Sequence, residues 1–141
     1  MKEYKLPIPQ PRPESRPFWD GCKQDQFLLQ CCDSCAKINW FPRSHCVACG
    51  GDKFTWKPAS GRGVLETFSV VYRPMNSAWA SEVPYILGMV KLEEGIRMVT
   101  RIVSSMGDDT PMGCPVRATF VQIGGDMKLP FFEVIDPSGG V

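Results

Sequence analysis

The sequence predicts a mainly β fold in which a short N-terminal helical arm and a cysteine-rich ribbon precede a small five-stranded barrel. Five prolines among the first 17 residues keep the start of the chain out of regular structure. Six of the seven cysteines lie between Cys22 and Cys49, and from Gly61 onward β-rich segments alternate with turn residues. The predicted units are an arm with its helix over 1–27, a ribbon over 28–60 and a barrel over 61–141.

Length and charge exclude several classes of protein. With 141 residues the chain forms one domain or two very small ones. Its 16 Lys and Arg nearly cancel its 15 Asp and Glu, which argues against a general nucleic-acid binder. The start lacks a hydrophobic signal core, so we expect a cytoplasmic location and no membrane partner. The most apolar stretch, 84–103, is too polar for a membrane helix because it contains five charged residues: Lys91, Glu93, Glu94, Arg97 and Arg101.

The N-terminal arm should be extended up to Pro17, because each proline fixes its own φ and keeps the preceding residue out of the α region. Such a segment is either disordered or laid along a surface, its own or a partner's. Pro17 suits the first turn of a helix of about two turns. The apolar residues of this helical region are Phe18, Trp19, Cys22 and Phe27.

Two cysteine pairs form the sharpest motif. Cys32 and Cys35 are separated by two residues, and so are Cys46 and Cys49, with ten residues between the pairs. Two such pairs deliver four thiolates to one tetrahedral Zn²⁺, so these four cysteines are the predicted zinc ligands. A rubredoxin-type iron centre, disulfides and free thiols are the alternatives.

The remaining cysteines leave one ambiguity of register. Cys31 competes with Cys32 for the first ligand position, although only Cys32 keeps the two-residue spacing to Cys35. Cys22 and Cys114 are expected to be small buried residues. A site filled by four thiolates has no open position for water or substrate, so the predicted zinc is structural.

Five short β-rich segments follow Gly61, and one longer insertion separates the third from the fourth. This pattern suits a partly open barrel of the OB type, with an SH3-like barrel or a small sandwich as alternatives. Gly61, Gly63 and Gly88 are candidates for the bulges or bends of a small barrel. The segments read VLETFSVVYR, YILGMVKLE, IRMVTRIVS, VRATFVQI and FFEVID.

The sequence offers no catalytic residues. His45 is the sole histidine, lies beside Cys46 and is interpreted as a surface or supporting residue of the ribbon. GxSxG, P-loop, GxGxxG and HExxH motifs are absent, and Glu93–Glu94 fits a solvated hairpin turn. Aromatic residues outside the strands partly pack at the junction of ribbon and barrel, and an exposed set among them would mark a partner surface. The predicted partner-binding residues are Phe18, Trp19, Trp40 and Phe41.

These motifs, taken in order, resemble the zinc-ribbon/OB-fold acyl-CoA-associated proteins. The stretch FWDGCKQDQFLLQCCDSCAKINWFPRSHCVACGG is followed by GRGVLETFSVVYRP, VPYILGMVKLEEGIRMVTRIV, MGCPVRATFV and LPFFEVI. The similarity runs from Pro17 to Ile135, and the cysteine quartet combined with VPY…EEGIRM…TRIV is more specific than either part. Ala36 departs from the pattern, because a glycine is common at that position of such a knuckle.

The resemblance implies a helical arm, a rubredoxin-like zinc ribbon and an OB barrel. It also implies a non-catalytic subunit that joins a thiolase-superfamily protein, such as an acetyltransferase (thiolase) or an aldolase, in a hetero-oligomer. That partner would carry the catalytic residues, while this chain completes the complex and helps to shape the passage for coenzyme A or acyl-CoA. Aromatic acyl-CoA degradation, as by benzoylsuccinyl-CoA thiolase, is one reaction that the resemblance suggests.

Two other functions compete with a partner subunit. Ribbons and OB barrels both occur in nucleic-acid-binding modules, but the near-zero net charge argues against one here. A free-standing acyl-CoA-binding protein or enzyme is disfavoured by the missing catalytic set and the missing glycine-rich phosphate cradle.

Overall fold

The computed structural model describes residues 6–135 and contains one α-helix and eight strands in that range. The helix α1 spans Arg16–Lys23. Two short 3-10 helices lie in the loops after β4 and β6. The mainly β prediction is therefore confirmed. The strands are β1 Leu28–Cys32, β2 Ile38–Asn39, β3 Phe54–Pro58, β4 Arg62–Val71, β5 Tyr85–Leu92, β6 Arg97–Val103, β7 Pro115–Gly124 and β8 Met127–Val134.

The ribbon is a three-stranded antiparallel sheet in the order β2-β1-β3. Its central strand β1 places Gln30 between Asn39 of β2 and Trp56 of β3. This small sheet lies between α1 and the barrel along the chain, and both cysteine pairs lie next to its strands. The same small sheet therefore carries the polar residues Gln30 and Asn39 and lies beside the two cysteine pairs.

The five later strands close into a barrel in the order β4-β5-β6-β8-β7. Hairpins join β4 to β5, β5 to β6 and β7 to β8, whereas β6 and β8 run parallel. The parallel pairing covers only Ile102 with Phe132 and Val103 with Glu133, and β4 pairs with β7 to close the ring. The predicted five-stranded barrel of the OB type is confirmed, and a sandwich is excluded because the sheet is closed.

Gly88 serves the barrel differently from the prediction. The irregularity of register in β4 lies between Leu65 and Thr67, so the bulge is not at any of the proposed glycines. Gly88 instead faces the interior, where a Cβ atom would come within 2.7 Å of side-chain carbons of Leu65 and Ile102. Gly88 is therefore required by core packing, which sequence periodicity does not report.

The last strand begins earlier than the sequence predicts. FFEVID indicated a start at Phe131, but β8 begins at Met127 and includes Pro130. Pro130 lacks an N–H, so it weakens the local strand signal. Its carbonyl oxygen accepts a 2.9 Å hydrogen bond from the Thr100 hydroxyl of β6. A side chain thus joins β6 to β8 at a position where proline cannot donate to the ladder.

The ribbon and the barrel share one hydrophobic core. Phe27, in the link between α1 and β1, lies with its ring centroid 6.0 Å from that of Phe132 in β8. Phe18 and Phe132 are both almost fully buried. The aromatic side chains therefore tie the helix, the ribbon and the barrel together. Other buried members of this core include Cys22, Leu29, Leu65, Val90, Leu92 and Val116.

The described part of the proline-rich arm lies on the chain's own barrel. Leu6 is 5% exposed and packs in a second cluster with Ile123, Met127 and Phe131. Ile8 approaches Gly124, where a Cβ atom would lie 3.1 Å from Ile8 Cδ1. Of the two surfaces considered for the arm, its own barrel is the one that Leu6 and Ile8 contact.

Leu6→Ala should destabilise the fold by about 2–3 kcal/mol, because it removes a buried side chain and leaves a cavity beside the barrel. Chemical denaturation of the two proteins would measure this difference. Ile8→Ala is the matched control, since Ile8 is 54% exposed and should lose much less stability. Equal effects for both variants would mean that the arm is not anchored through Leu6.

Candidate metal centre and partner surface

The two cysteine pairs form knuckles with matching backbone hydrogen bonds. In the first knuckle, the Ala36 N–H donates to the Cys32 carbonyl and the Cys32 N–H donates to the Lys37 carbonyl, both at 2.9 Å. In the second knuckle, the Gly50 N–H donates to the Cys46 carbonyl at 2.9 Å and the Cys46 N–H donates to the Gly51 carbonyl at 2.8 Å. Each turn therefore directs two thiols toward the same point.

The residue that follows each knuckle has a left-handed backbone. Gly50 has φ +78°, and Ala36 has φ +67° at the equivalent position. Glycine adopts this conformation without steric cost, whereas an L-residue pays roughly 1–2 kcal/mol. The departure from the family pattern at Ala36 is thus accommodated without changing the turn.

The four thiol sulfurs fit a tetrahedral metal. The Sγ atoms of Cys32, Cys35, Cys46 and Cys49 all lie within 4.8 Å of one another. The Cys32–Cys49 separation is 3.5 Å and the Cys35–Cys46 separation is 3.6 Å. Four Zn–S bonds of about 2.3 Å at tetrahedral angles place sulfur atoms about 3.8 Å apart. The two shortest separations are slightly below this value and all six lie within 4.8 Å, so a small rearrangement of the sulfur atoms accommodates Zn²⁺.

Hydrogen bonds prepare the cluster for a cation. The Asn39 side chain and the backbone N–H of Cys49 lower the pKa of Cys46 to about 6. The Cys46 sulfur also accepts the Ala48 N–H at 3.4 Å, and the Cys49 sulfur accepts the Gly51 N–H at the same distance. The Gly51 N–H lowers the pKa of Cys49, but hydrogen bonds with the Cys32 and Cys35 thiols outweigh it and raise that pKa to about 12, so without a metal the sulfurs share protons. The backbone donors favour thiolates, which are the form that binds metal.

The structure brings Cys32 rather than Cys31 into the cluster. Successive side chains of a strand point to opposite faces, and both residues lie on β1. Cys31 is buried beside the ligand, while Cys22 is completely buried in the core. Burial raises the pKa of Cys22 to about 12 and also raises that of Cys114, so both behave as packed, unreactive thiols.

The four aromatic residues predicted to bind a partner occupy one place but differ in exposure. Phe18 is 1% exposed and Phe41 is 42% exposed, with Trp19 and Trp40 between these extremes. The Phe18 ring therefore supports the others from below and is not itself part of the surface. Its centroid lies 5.1 Å from Trp19, 5.5 Å from Phe27, 5.3 Å from Trp40 and 5.9 Å from Phe41.

A groove of about 360 Å³ opens at these aromatic residues, between the ribbon and the barrel. We call it the aromatic groove. β6 and β8 form its opposite wall. The wall residues precede, along each strand, the two residues through which these strands pair. Val99 lies on this wall and is 59% exposed. The other residues of that wall are Met98, Thr100, Leu129, Pro130 and Phe131.

Trp79, another aromatic residue outside the strands, lies away from this groove. It belongs to the loop between β4 and β5, and its ring centroid is 5.0 Å from that of Tyr85. The same loop is held to β6 by a 2.7 Å ion pair between Glu82 and Arg101, both largely buried. Trp79 is thus a packing residue of the barrel.

His45 is exposed at the knuckle, as expected for a surface residue. The Ser44 hydroxyl lies 3.3 Å from His45 Nδ1, but within residues 6–135 no carboxylate is hydrogen-bonded to that ring. The pair therefore lacks the orienting group of a nucleophile and base. Glu93 and Glu94 lie in the predicted hairpin turn, between β5 and β6, and Glu93 is exposed. Glu94 is only half-exposed, because its carboxylate accepts the Ser60 N–H at 2.9 Å.

The sequence analysis missed two buried polar residues of the ribbon. Gln30 is 3% exposed and Asn39 is 1% exposed. The available signal was their position: Gln30 interrupts the apolar run LLQCC, and Asn39 sits between Ile38 and Trp40. A polar amide inside such a run indicates a buried hydrogen-bonding role.

Two family models match consecutive parts of this architecture. The ChsH2 rubredoxin-like zinc ribbon domain matches residues 19–55, and the ChsH2 C-terminal OB-fold domain matches residues 56–121. The chain belongs to the ChsH2/DUF35 family. Its four clustered cysteines are accordingly those of a zinc ribbon, and a structural zinc fits them.

Relatives carry this pair of domains in different settings. A DUF35 domain-containing scaffold protein of Methanocaldococcus jannaschii is 30% identical over 110 residues, which cover 77% of each chain. A probable enoyl-CoA hydratase alpha subunit of Thermomonospora curvata is 30% identical over 96% of this chain and 43% of its own. The chain described here thus spans less than half the length of that hydratase subunit.

Solved structures agree with the fold. A chain of the structure described as the Ltp2-ChsH2(DUF35) aldolase is 27% identical, with a TM-score of 0.80, and covers 89% of this chain and 98% of its own. A DUF35 protein of unknown function from Sulfolobus solfataricus is 14% identical with a TM-score of 0.57, a likeness of fold alone. Among the described residues, no helix is long and apolar enough to span a membrane.

Proposed function

We propose that this chain is a non-catalytic zinc-binding subunit of a thiolase-like complex that processes acyl-CoA by making or breaking a C–C bond. The proposal is carried by two features that occur together. One is a four-cysteine metal site with no open coordination position, and the other is the exposed aromatic groove between the same ribbon and the barrel. The first stabilises structure and activates no water. The second is a surface of the composition found at protein interfaces.

The relatives support a role in a complex. One is described as part of an aldolase with Ltp2, one as a hydratase alpha subunit and one as a scaffold protein. In this proposal the partner is a thiolase-superfamily protein, either an acetyltransferase or an aldolase. It supplies the nucleophile and the base, and this chain completes the complex and contributes to the coenzyme A or acyl-CoA passage.

Trp19, Trp40 and Phe41 form the proposed partner surface, with Phe18 beneath them. Large aromatic side chains dominate binding energy when they fill a pocket at the centre of an interface. The groove places three of them beside the exposed Val99, so a partner side chain that enters it would contact both the ribbon and the barrel.

The isolated chain should not turn over acyl-CoA thioesters, because the Ser44–His45 pair has no orienting carboxylate within residues 6–135 and a zinc held by four thiolates has no open position. Activity should appear only when a thiolase-like partner is added. The test is an assay of acetoacetyl-CoA and aromatic acyl-CoA thioesters with this chain alone, and then with the thiolase-superfamily protein that co-purifies from its native cells. Turnover by the chain alone that His45→Ala abolishes would contradict the proposal.

A further inference from the structure

The segment 40–46 connects the aromatic groove to the metal centre. It leaves β2 after Asn39, begins with Trp40 and Phe41, and ends at Cys46. One end of this segment therefore supplies the groove, and the other supplies a zinc ligand. No strand or helix is assigned within it, so its shape depends on contacts made by its neighbours.

Gln30 holds the middle of this segment. Its side-chain Nε2 donates to the Arg43 carbonyl at 2.8 Å, and its Oε1 accepts the Arg43 N–H at 2.9 Å. One buried amide thus satisfies both backbone groups of Arg43, as a neighbouring strand would. Because Gln30 belongs to the central strand of the ribbon, its two hydrogen bonds attach the segment to the sheet.

Asn39 holds both ends of the segment together. Its Oδ1 accepts a 3.0 Å hydrogen bond from the N–H of Val47, the residue after Cys46. Asn39 itself is the residue before Trp40. Asn39 is almost completely buried, so this hydrogen bond is protected from water. Asn39 therefore joins the two ends of the segment, because its side chain holds Val47 beside Cys46 and its backbone leads into Trp40.

The aromatic end of the segment packs against other aromatic rings and borders the groove. Trp40 stacks on Phe27 with ring centroids 5.8 Å apart, and it meets Phe41 edge-on at 5.2 Å. Phe41 is largely exposed on its other side. The barrel strands, by contrast, are held by ladders with their neighbouring strands.

We infer that Gln30 and Asn39 are positioning residues that couple zinc occupancy to the placement of Trp40 and Phe41 in the aromatic groove. Zinc then organises the binding surface as well as the ribbon. The inference rests on the proposed function only in taking this groove as the partner surface, since the coupling itself lies within the chain.

The coupling is tested on the full chain by the indole N–H signals of its four tryptophans in NMR spectra. Removal of zinc with a chelator should shift or broaden the Trp40 signal and leave that of Trp79, which packs on the barrel against Tyr85, in place. An unchanged Trp40 signal in the metal-free chain would overturn the inference. A loss of all four dispersed signals would also overturn it, because zinc would then support the whole fold.

Two variants separate coupling from a general structural role. Gln30→Met should keep its zinc while the Trp40 signal moves, and Gln24→Met on the exposed end of α1 should change neither. Asn39→Ala should weaken zinc affinity about 10- to 100-fold in competition with a chelator, the usual effect of losing a group behind a ligand. A zinc-loaded Gln30→Met protein with the wild-type Trp40 signal, or a Gln30→Met protein without zinc, would contradict the assigned role.

Affinity for the co-purified thiolase-superfamily protein then links the coupling to function. It should fall at least tenfold for zinc-loaded Gln30→Met and stay unchanged for Gln24→Met. If the wild-type chain binds no such protein, the proposed function fails, whereas the NMR and zinc measurements still decide whether Gln30 and Asn39 couple the two sites.

Discussion

Cys46→Ser should reduce zinc from one ion per chain to a small fraction of that and should unfold the ribbon. Cys46 is the buried ligand of the second knuckle, and its sulfur is 3.6 Å from that of Cys35. Zinc binding to four thiolates supplies on the order of 10–16 kcal/mol in small zinc domains, which exceeds what so short a sheet gains from burial. Elemental analysis and circular dichroism before and after addition of zinc would measure both effects.

Cys31→Ser is the matched control, because Cys31 is also a buried cysteine of the ribbon but lies outside the thiol cluster. It should retain one zinc. Cys32→Ser, one residue along the same strand, should lose most of it. The opposite result for these two variants would show that Cys31 is the ligand, and normal zinc content in Cys46→Ser would remove the four-cysteine site altogether.

Phe18→Ala should destabilise the protein by about 3–5 kcal/mol, the usual cost of removing a buried aromatic side chain. Phe18 is 1% exposed and lies beneath the aromatic groove, where it contacts residues of α1, the ribbon and the link between them. Denaturant unfolding in the presence of zinc would measure this loss. Weaker partner binding is expected to follow from the disturbed fold.

Phe41→Ala provides the contrast within the same cluster. Phe41 is 42% exposed, so its removal should change stability little. If it lies at the centre of the interface, the affinity for the partner should fall by about 2 kcal/mol, roughly thirtyfold. A stable Phe41→Ala protein with unchanged affinity would remove the aromatic groove from the interface, and a Phe18→Ala protein of normal stability would contradict its place in the core.

The metal centre was predictable because its information is local. A spacing of two residues between cysteines already defines a knuckle, and the structure shows the same backbone hydrogen bonds around both pairs. The five barrel strands were predictable for a similar reason, since alternation of apolar residues along a strand reports which face is buried. β5 follows this rule, with Ile86, Val90 and Leu92 inside and Leu87 and Lys91 outside.

The start of β8 and the role of Gly88 were misjudged from the sequence because the local signals at these residues are weak. Pro130 hid the first half of β8, because proline is disfavoured in a central strand. Gly88 suggested a bend, although its actual role is to leave space for Leu65 and Ile102 across the barrel. Side chains of the neighbouring strands β4 and β6 constrain Gly88, and pairing with β7 establishes the first half of β8.

By itself, the sequence determined the order of arm, zinc ribbon and barrel, the metal-binding motif and the number of barrel strands. Only the tertiary structure decided that Phe18 is buried while Phe41 is exposed and that Gln30 and Asn39 hold the segment between zinc and groove. The physical reason is range: a turn or a strand period arises from neighbours along the chain, whereas burial and buried hydrogen bonds depend on which distant elements meet.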